Sequence, residues 1–121
     1  IIFDYGYFKK QKNFTLQSVH NNIKSNVLDN AGKQDITSLV DFKKLINLAK
    51  LNNLHVNIFC SQREFFLKYG IKQRAKKITN HSTNEQKILI KKGLNRIIDE
   101  DDMGSLYKVL VVQQQINERL L

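Results

Sequence analysis

The chain has 121 residues, 20 Lys+Arg against 11 Asp+Glu for a net charge of +9, and 41% apolar against 26% charged residues. That length supports one compact domain burying about two thirds of the surface its unfolded chain exposes, and the composition argues against a disordered tail. One cysteine, Cys60, excludes an internal disulfide and a four-ligand zinc site and suits a reducing compartment, while no apolar run approaches the about 20 residues of a membrane helix.

Ile1 to Phe8 is short and aromatic and passes into Lys9-Lys10-Gln11-Lys12, so residues 1–13 read as a linker remnant ahead of a domain over 14–121. The chain opens on Ile1 and reads as the ordered remainder of a longer one. Phe14, Leu16 and Val19 place a half-buried strand within Phe14–Ile23, and the polar stretch Ser25–Gln34, with Gly32, reads as a connection. Asp35-Ile36-Thr37-Ser38 offers N-caps for a helix whose buried face is Leu39, Phe42, Ile46 and Ala49, closing near Asn52-Asn53. Leu54, Val56, Ile58 and Cys60 alternate with His55, Asn57, Phe59 and Ser61, the clearest strand pattern in the chain. Arg63–Ile78 is basic and amphipathic, with Ile71, Ala75 and Ile78 on one face and a start blurred by Gly70. Ser82 with Glu85 makes a capping-box signature for a helix carrying Ile90, Leu94, Ile97 and Ile98 inward. Asp99–Gly104 reads as an acidic turn and Leu106–Val112 as a central strand. The expected fold is α+β, a two-layer sandwich with helices packed on one face of a small mixed sheet.

Signatures of catalysis are sparse. There is no G-x-S-x-G, Walker loop, H-E-x-x-H or G-x-G-x-x-G, and His20, His55 and His81 lie too far apart in sequence to form a local ligand set. Cys60 reads as a small core side chain, Asp99–Asp102 as a solvated turn lacking the distal Glu of a calcium loop, and Asp4 as a lone carboxylate. No catalytic residue, metal or cofactor is expected.

Charge is unevenly placed. Residues 1–62 carry +4, residues 63–96 carry +8 and residues 97–121 carry −3. The middle window supplies a positive field suited to a polyanion, with Arg63, Lys68, Lys72, Arg74, Lys76, Lys77, Lys87, Lys91, Lys92 and Arg96 as the RNA-binding candidates. Phe65, Phe66 and Tyr69 lie in the same region and could stack on bases, although burial of at least one phenylalanine is the commoner use.

Three separated segments also carry a family resemblance. Ile2-Phe3-Asp4-Tyr5-Gly6-Tyr7-Phe8 resembles the interdomain signature of the translation initiation factor three family, with Tyr7 at its basic position. Val56-Asn57-Ile58 followed by Arg63-Glu64 resembles that family's second C-terminal-domain strand and its close, and Met103 with Val109–Val112 resembles its last strand. Gln62, Ser61 and Leu106 depart from the pattern, in a manner that suits a divergent version from the mitochondrial matrix or, alternatively, a bacterial cytoplasm. The resemblance implies a C-terminal domain and linker of a non-enzymatic initiation factor. Its partners would be small-subunit ribosomal RNA, neighbouring ribosomal proteins and, indirectly, initiator tRNA. It would oppose premature large-subunit joining and assist start-codon selection, with Arg63 as the carried-over RNA contact and neither membrane nor small-molecule substrate. The alternative is a permanent structural ribosomal protein, and the third reading an RNA-processing enzyme using Asp4.

Overall fold

In the computed structural model, residues 1–9 and 14–114 are described. The aromatic opening forms strand β1 (Ile2–Tyr7), so the segment expected as a linker remnant lies inside the main sheet. Next come β2 (Gln17–His20) and β3 (Ile23–Ser25), turned by Asn21 and Asn22 at φ 51° and 62°, values that asparagine tolerates better than most residues. The strand expected over Phe14–Ile23 is therefore a short hairpin arm, and Phe14, expected on its buried face, is 95% exposed. β4 (Asp35–Thr37) pairs with β2 and completes a three-stranded antiparallel sheet, β3-β2-β4. Its interior is partly polar. Buried Ser18 donates to the Ser25 carbonyl (2.9 Å), Ser25 Oγ donates to Gln34 Oε1 (2.7 Å), and the Gln34 amide donates to the Asn26 and Val27 carbonyls.

β5 (Val40–Asp41) leads directly into α1 (Phe42–Leu51), whose N-cap is Asp41, accepting from Lys44 N–H at 3.1 Å. The earlier candidates Asp35–Thr37 are occupied by a strand instead. α1 closes as expected at Asn52-Asn53, with Asn53 at φ 55°. β6 (Leu54–Ser61) follows, bulged between Val56 and Ile58. Ser61 and Glu64 form a full capping box that starts α2 (Gln62–Lys68), and Gly70, at φ 80°, separates it from α3 (Ile71–Thr79). α4 (Asn84–Ile98) starts from a box made by Thr83 and Gln86, one residue beyond the expected Ser82 and Glu85. The acidic turn contains a short helix, α5 (Met103–Leu106), and β7 (Tyr107–Gln114) completes the main sheet.

The main sheet has the order β5-β1-β7-β6, so the last strand is central, as its β-rich composition suggests. β7 runs antiparallel to β1 and β6, whereas β1 and β5 are parallel. This is the mixed α+β sandwich expected from the pattern. Its core is Phe42, Ala49, Ile98, Val109 and Leu110, and each of the larger side chains contributes about 1.5–3 kcal/mol on burial. Aromatic contacts tie β1 and the residue after it to their surroundings: Phe3 meets Phe65 and Phe66 at 5.2 and 5.6 Å between ring centroids, and Phe8, just beyond the strand, meets Phe59 at 5.2 Å. Among the described residues no helix is long and apolar enough to cross a membrane.

Candidate functional site

Pairing in the main sheet changes from antiparallel to parallel at β1. In open sheets with helical crossovers, ligands collect off the carboxyl ends of strands where the order of the sheet switches. β1 ends there at Gly6-Tyr7. A Cβ on Gly6 would lie 2.4 Å from Phe42 Cε2 and 2.5 Å from the Val40 carbonyl oxygen, so only glycine lets β5 and the start of α1 close against β1.

Two adjoining clefts border this end of the strand. One, of about 490 Å³, lies between Gly6-Tyr7 and the acidic lip Glu100–Asp102. The other, of about 310 Å³, lies against Tyr5 and the small-sheet residues Gln17, Val19, Thr37 and Ser38. Leu39 and Leu106 line both, giving an apolar floor with hydroxyl and amide groups along one wall and carboxylates along the other. A further depression of about 700 Å³ near Lys9, Lys43 and Lys44 opens beyond the strand and shares Tyr7 with the first cleft.

The lip is held by backbone packing and by Arg63. Gly104 N–H donates to the Asp99 carbonyl at 2.9 Å, and a Cβ on Gly104 would fall 2.4 Å from that oxygen, so α5 turns tightly off the end of α4. Arg63 Nε lies 3.2 Å from Glu100 Oε1, and its Nη1 donates to the Ile98 carbonyl. Lys108, opposite Asp4 in the β1–β7 pairing, donates to the Ser105 carbonyl.

Tyr5 and Tyr107 face each other across the strands with ring centroids 3.9 Å apart. Burial pushes the Tyr107 phenol up to about 12, helped by its hydrogen bond to Tyr5 and the nearby Asp4 carboxylate and opposed by Arg96, so at neutral pH it is an uncharged O–H group. Burial likewise raises the Cys60 thiol, which makes it a poor nucleophile. Glu64 is held below the usual carboxylate range by the Ser61 backbone N–H and then the Ser61 hydroxyl. Among the described residues no group of three His, Cys, Asp or Glu side chains could hold a metal ion. The site sets an apolar floor between neutral polar groups on one wall and the carboxylates of the lip on the other, an arrangement suited to holding a molecule in place.

Of the residues proposed from sequence, Arg63 is engaged within the fold. Lys68 closes α2, with Nζ 5.9 Å from the Tyr69 ring centroid. Lys72, Arg74, Lys76 and Lys77 lie on α3 and Lys87, Lys91, Lys92 and Arg96 on α4, all exposed. Lys92 and Arg96 approach the acidic lip, bordering a shallow hollow with Asp99, Asp101 and Asp102; the other lysines and Arg74 stay away from the clefts. Phe65 and Phe66 are half-buried against Phe3, and Tyr69 packs on Phe65 at 4.6 Å while remaining 58% exposed. Gln17, Thr37, Ser38, Leu39 and Leu106 are not legible as a group in the sequence, because three separate chain segments bring them together. One available signal was Gly6, a lone glycine within an aromatic strand, which marks close approach of another backbone.

Comparison with known proteins adds an independent line. A family model described as "putative S-adenosyl-L-methionine-dependent methyltransferase" matches residues 1–60, from β1 almost to the end of β6. An uncharacterised protein from Burkholderia thailandensis superposes with a TM-score of 0.85 at 23% identity, over 93% of this chain and 32% of its own. A member of the same superfamily from Burkholderia thailandensis, described as a "likely methyl transferase" and solved with S-adenosylhomocysteine bound, gives 0.80 at 21% identity, over 93% of this chain and 30% of its own. The chain thus spans about a third of the length of the structures it matches.

These matches overturn the initiation-factor reading and its ribosomal alternative. They likewise overturn the expectations that followed: a non-enzyme, ribosomal RNA and protein partners, initiator tRNA, and no small-molecule substrate. The physical reason lies in β1. Asp4-Tyr5-Gly6, the centre of the resemblance, belongs to a strand whose glycine is required by Phe42 and β5, so a short aromatic and glycine-containing segment arose from sheet packing and carried no ribosomal specificity.

Proposed function

We propose that this chain supplies the acceptor-binding third of an S-adenosylmethionine-dependent methyltransferase, with the paired clefts at the end of β1 holding the group to be methylated. The observation that carries the reading is the family match over residues 1–60, which takes in β1, β2, β4 and Leu39 and hence most of the cleft walls. The likeness in fold to a structure holding S-adenosylhomocysteine supports it.

The cofactor itself needs more than these residues offer. A nucleoside cofactor in an open sheet is cradled by a glycine-rich turn from a parallel strand to a helix N-terminus, with an acidic side chain for the ribose. Among the described residues the parallel pairing covers only Gly6–Val40 and Tyr7–Asp41. The space beside Gly6 is filled by Phe42 and Val40, and that beside Gly104 by backbone of Ile98 and Asp99. The described residues do not form the cradle, and no transfer step is routed through them. Their part is binding and orientation: Leu39 and Leu106 exclude water from an acceptor, Gln17, Thr37 and Ser38 supply neutral hydrogen-bonding groups, and Tyr107 steadies the Tyr5 hydroxyl.

The test is a chimera in which this chain replaces the matching third of the S-adenosylhomocysteine-binding Burkholderia protein. Transfer of tritiated methyl groups to lysate acceptors should fall by at least about tenfold in Leu39→Asp and Leu106→Asp variants, with S-adenosylhomocysteine affinity unchanged. Undiminished transfer would remove the clefts from the reaction.

A further inference from the structure

We infer that the groove between α3 and α4 is a docking site for an acidic amphipathic helix of a partner protein. The two helices belong to the crossover that leaves β6, the strand at the far end of the main sheet from β5 and β1, and they pack on each other across the turn at residues 80–83. α3 has an amphipathic sequence, yet none of its residues is fully buried. Ile71, Ala75 and Ile78 from α3 and Ile90, Leu94 and Ile97 from α4 line a hollow of about 270 Å³. Small-molecule sites usually occupy about 300–1,000 Å³. An apolar hollow along the seam of two packed helices instead suits the row of side chains that a third helix presents.

Gly93 is the second observation. A glycine in a helix interior costs stability, and nothing in this fold requires one there: no heavy atom lies within 4 Å of the carbon that alanine would add. The space left beside Gly93 opens into the hollow, so another backbone can approach α4 more closely there than any side chain would permit. Ile78 in the wall and Leu89, one turn before Gly93, are 46% and 67% exposed, which leaves large apolar side chains in water beside that opening.

Charge selects the occupant. Residues 71–98 hold eight Lys and Arg side chains against Glu85 alone, and among the described residues the one ion pair, Arg63 with Glu100, involves none of them. Arg74 lines the hollow itself, and Lys77 follows it one turn along α3. Unpaired lysines are almost never buried, so this surface stays in water until a matching row of carboxylates meets it. A second copy of this chain cannot supply that row: α1, α3 and α5 carry no acidic residue, α2 only Glu64 and α4 only Glu85. An anionic membrane is the competing surface, but lipid gains nothing from close approach at one backbone position, whereas a helix does. The groove and its charge owe nothing to the methyltransferase reading.

The experiment titrates this chain, at low salt, into a fluorescein-labelled peptide of about 20 residues with Leu and Ala at positions i, i+4 and i+7 and Glu on both flanks. Fluorescence anisotropy should give a Kd below about 100 μM that weakens as salt is raised. Gly93→Leu fills the hollow with a better helix former and should weaken binding at least about tenfold with the circular dichroism unchanged. The double variant Arg74→Glu with Lys77→Glu, both exposed, should do the same, while Ile88→Ser, outside the hollow, should leave the affinity as it is. The same peptide with Lys in place of Glu should not bind. No binding of the Glu peptide overturns the inference, as does equal binding of the Lys peptide or undiminished binding by Gly93→Leu. Loss of binding in a folded form of the chimera described above would show that the rest of the polypeptide covers the groove, and would overturn it too. So would tighter binding, through Ile88, to vesicles of phosphatidylcholine and phosphatidylglycerol than to the Glu peptide, which would assign the face to a membrane.

Discussion

Replacing Gly6 with alanine tests the packing that shapes the end of β1. The added carbon would stand 2.4 and 2.6 Å from Cε2 and Cδ2 of Phe42 and 2.5 Å from the Val40 carbonyl oxygen. Phe42 is fully buried, so its ring has no free space to enter, and the second obstacle is backbone. Overpacking by one methyl group costs about 1–3 kcal/mol where side chains can shift, and here the upper end applies, about 3 kcal/mol. That is a substantial part of a stability of about 5–15 kcal/mol. In urea unfolding followed by circular dichroism, the midpoint should drop by about 1–3 M with an unchanged m-value. Gly93→Ala is the internal control. It sits within α4 with no heavy atom within 4 Å of the added carbon, and should stabilise by about 0.5–1 kcal/mol. A Gly6→Ala protein within about 0.5 kcal/mol of the parent would refute the claim that β1, β5 and α1 close around a glycine.

Three further outcomes follow from the local chemistry. Ser61→Ala removes the α2 cap and should cost about 1 kcal/mol. Because Glu64 is depressed in the fold, its contribution is present above the ordinary carboxylate pKa and lost as pH falls through the folded value; Glu64→Gln should flatten that acid limb in denaturation measured against pH. Tyr107 has the opposite sense: the folded state keeps its proton, so stability is retained below pH 10 and lost as pH climbs towards about 12. Tyrosinate absorbance should show one late-titrating group that Tyr5→Phe brings down. Arg63→Met should destabilise by about 1–2 kcal/mol through loss of the Ile98 carbonyl contact, whereas Glu100→Gln should change stability by less than about 0.5 kcal/mol because the ion pair is exposed. Equal losses in the two variants, read by urea denaturation, would contradict that division.

Elements with strong local signals were legible in the sequence. Alternation from Leu54 to Ser61, the β-rich run after Leu106, the helix closed by Asn52-Asn53 and the basic amphipathic stretch all correspond to observed elements, because period and capping are local properties. Boundaries shifted where local chemistry offered equal choices: Asp41 won the α1 cap over Asp35–Ser38, and Thr83 with Gln86 won over Ser82 with Glu85. Gly70 split one expected basic stretch into α2 and α3. The place of β1 beside β7 was not legible, since pairing across more than a hundred residues leaves no local trace. The clefts depend on that pairing, which unites Tyr5, Thr37, Leu39 and Leu106 from distant segments, so their chemistry was hidden too. Lysine density on α3 and α4, by contrast, is conspicuous in the sequence because charge is a local property, and most of it lies away from the clefts.

The most direct measurement is calorimetric titration of S-adenosylhomocysteine into this chain alone and into the chimera that restores the neighbouring two thirds. The isolated chain should show no binding at concentrations up to about 1 mM and the chimera clear binding, retained when Leu106 is changed to Asp. Micromolar binding to the isolated chain, or loss of cofactor affinity on changing Leu106, would contradict the assignment of these clefts to the acceptor.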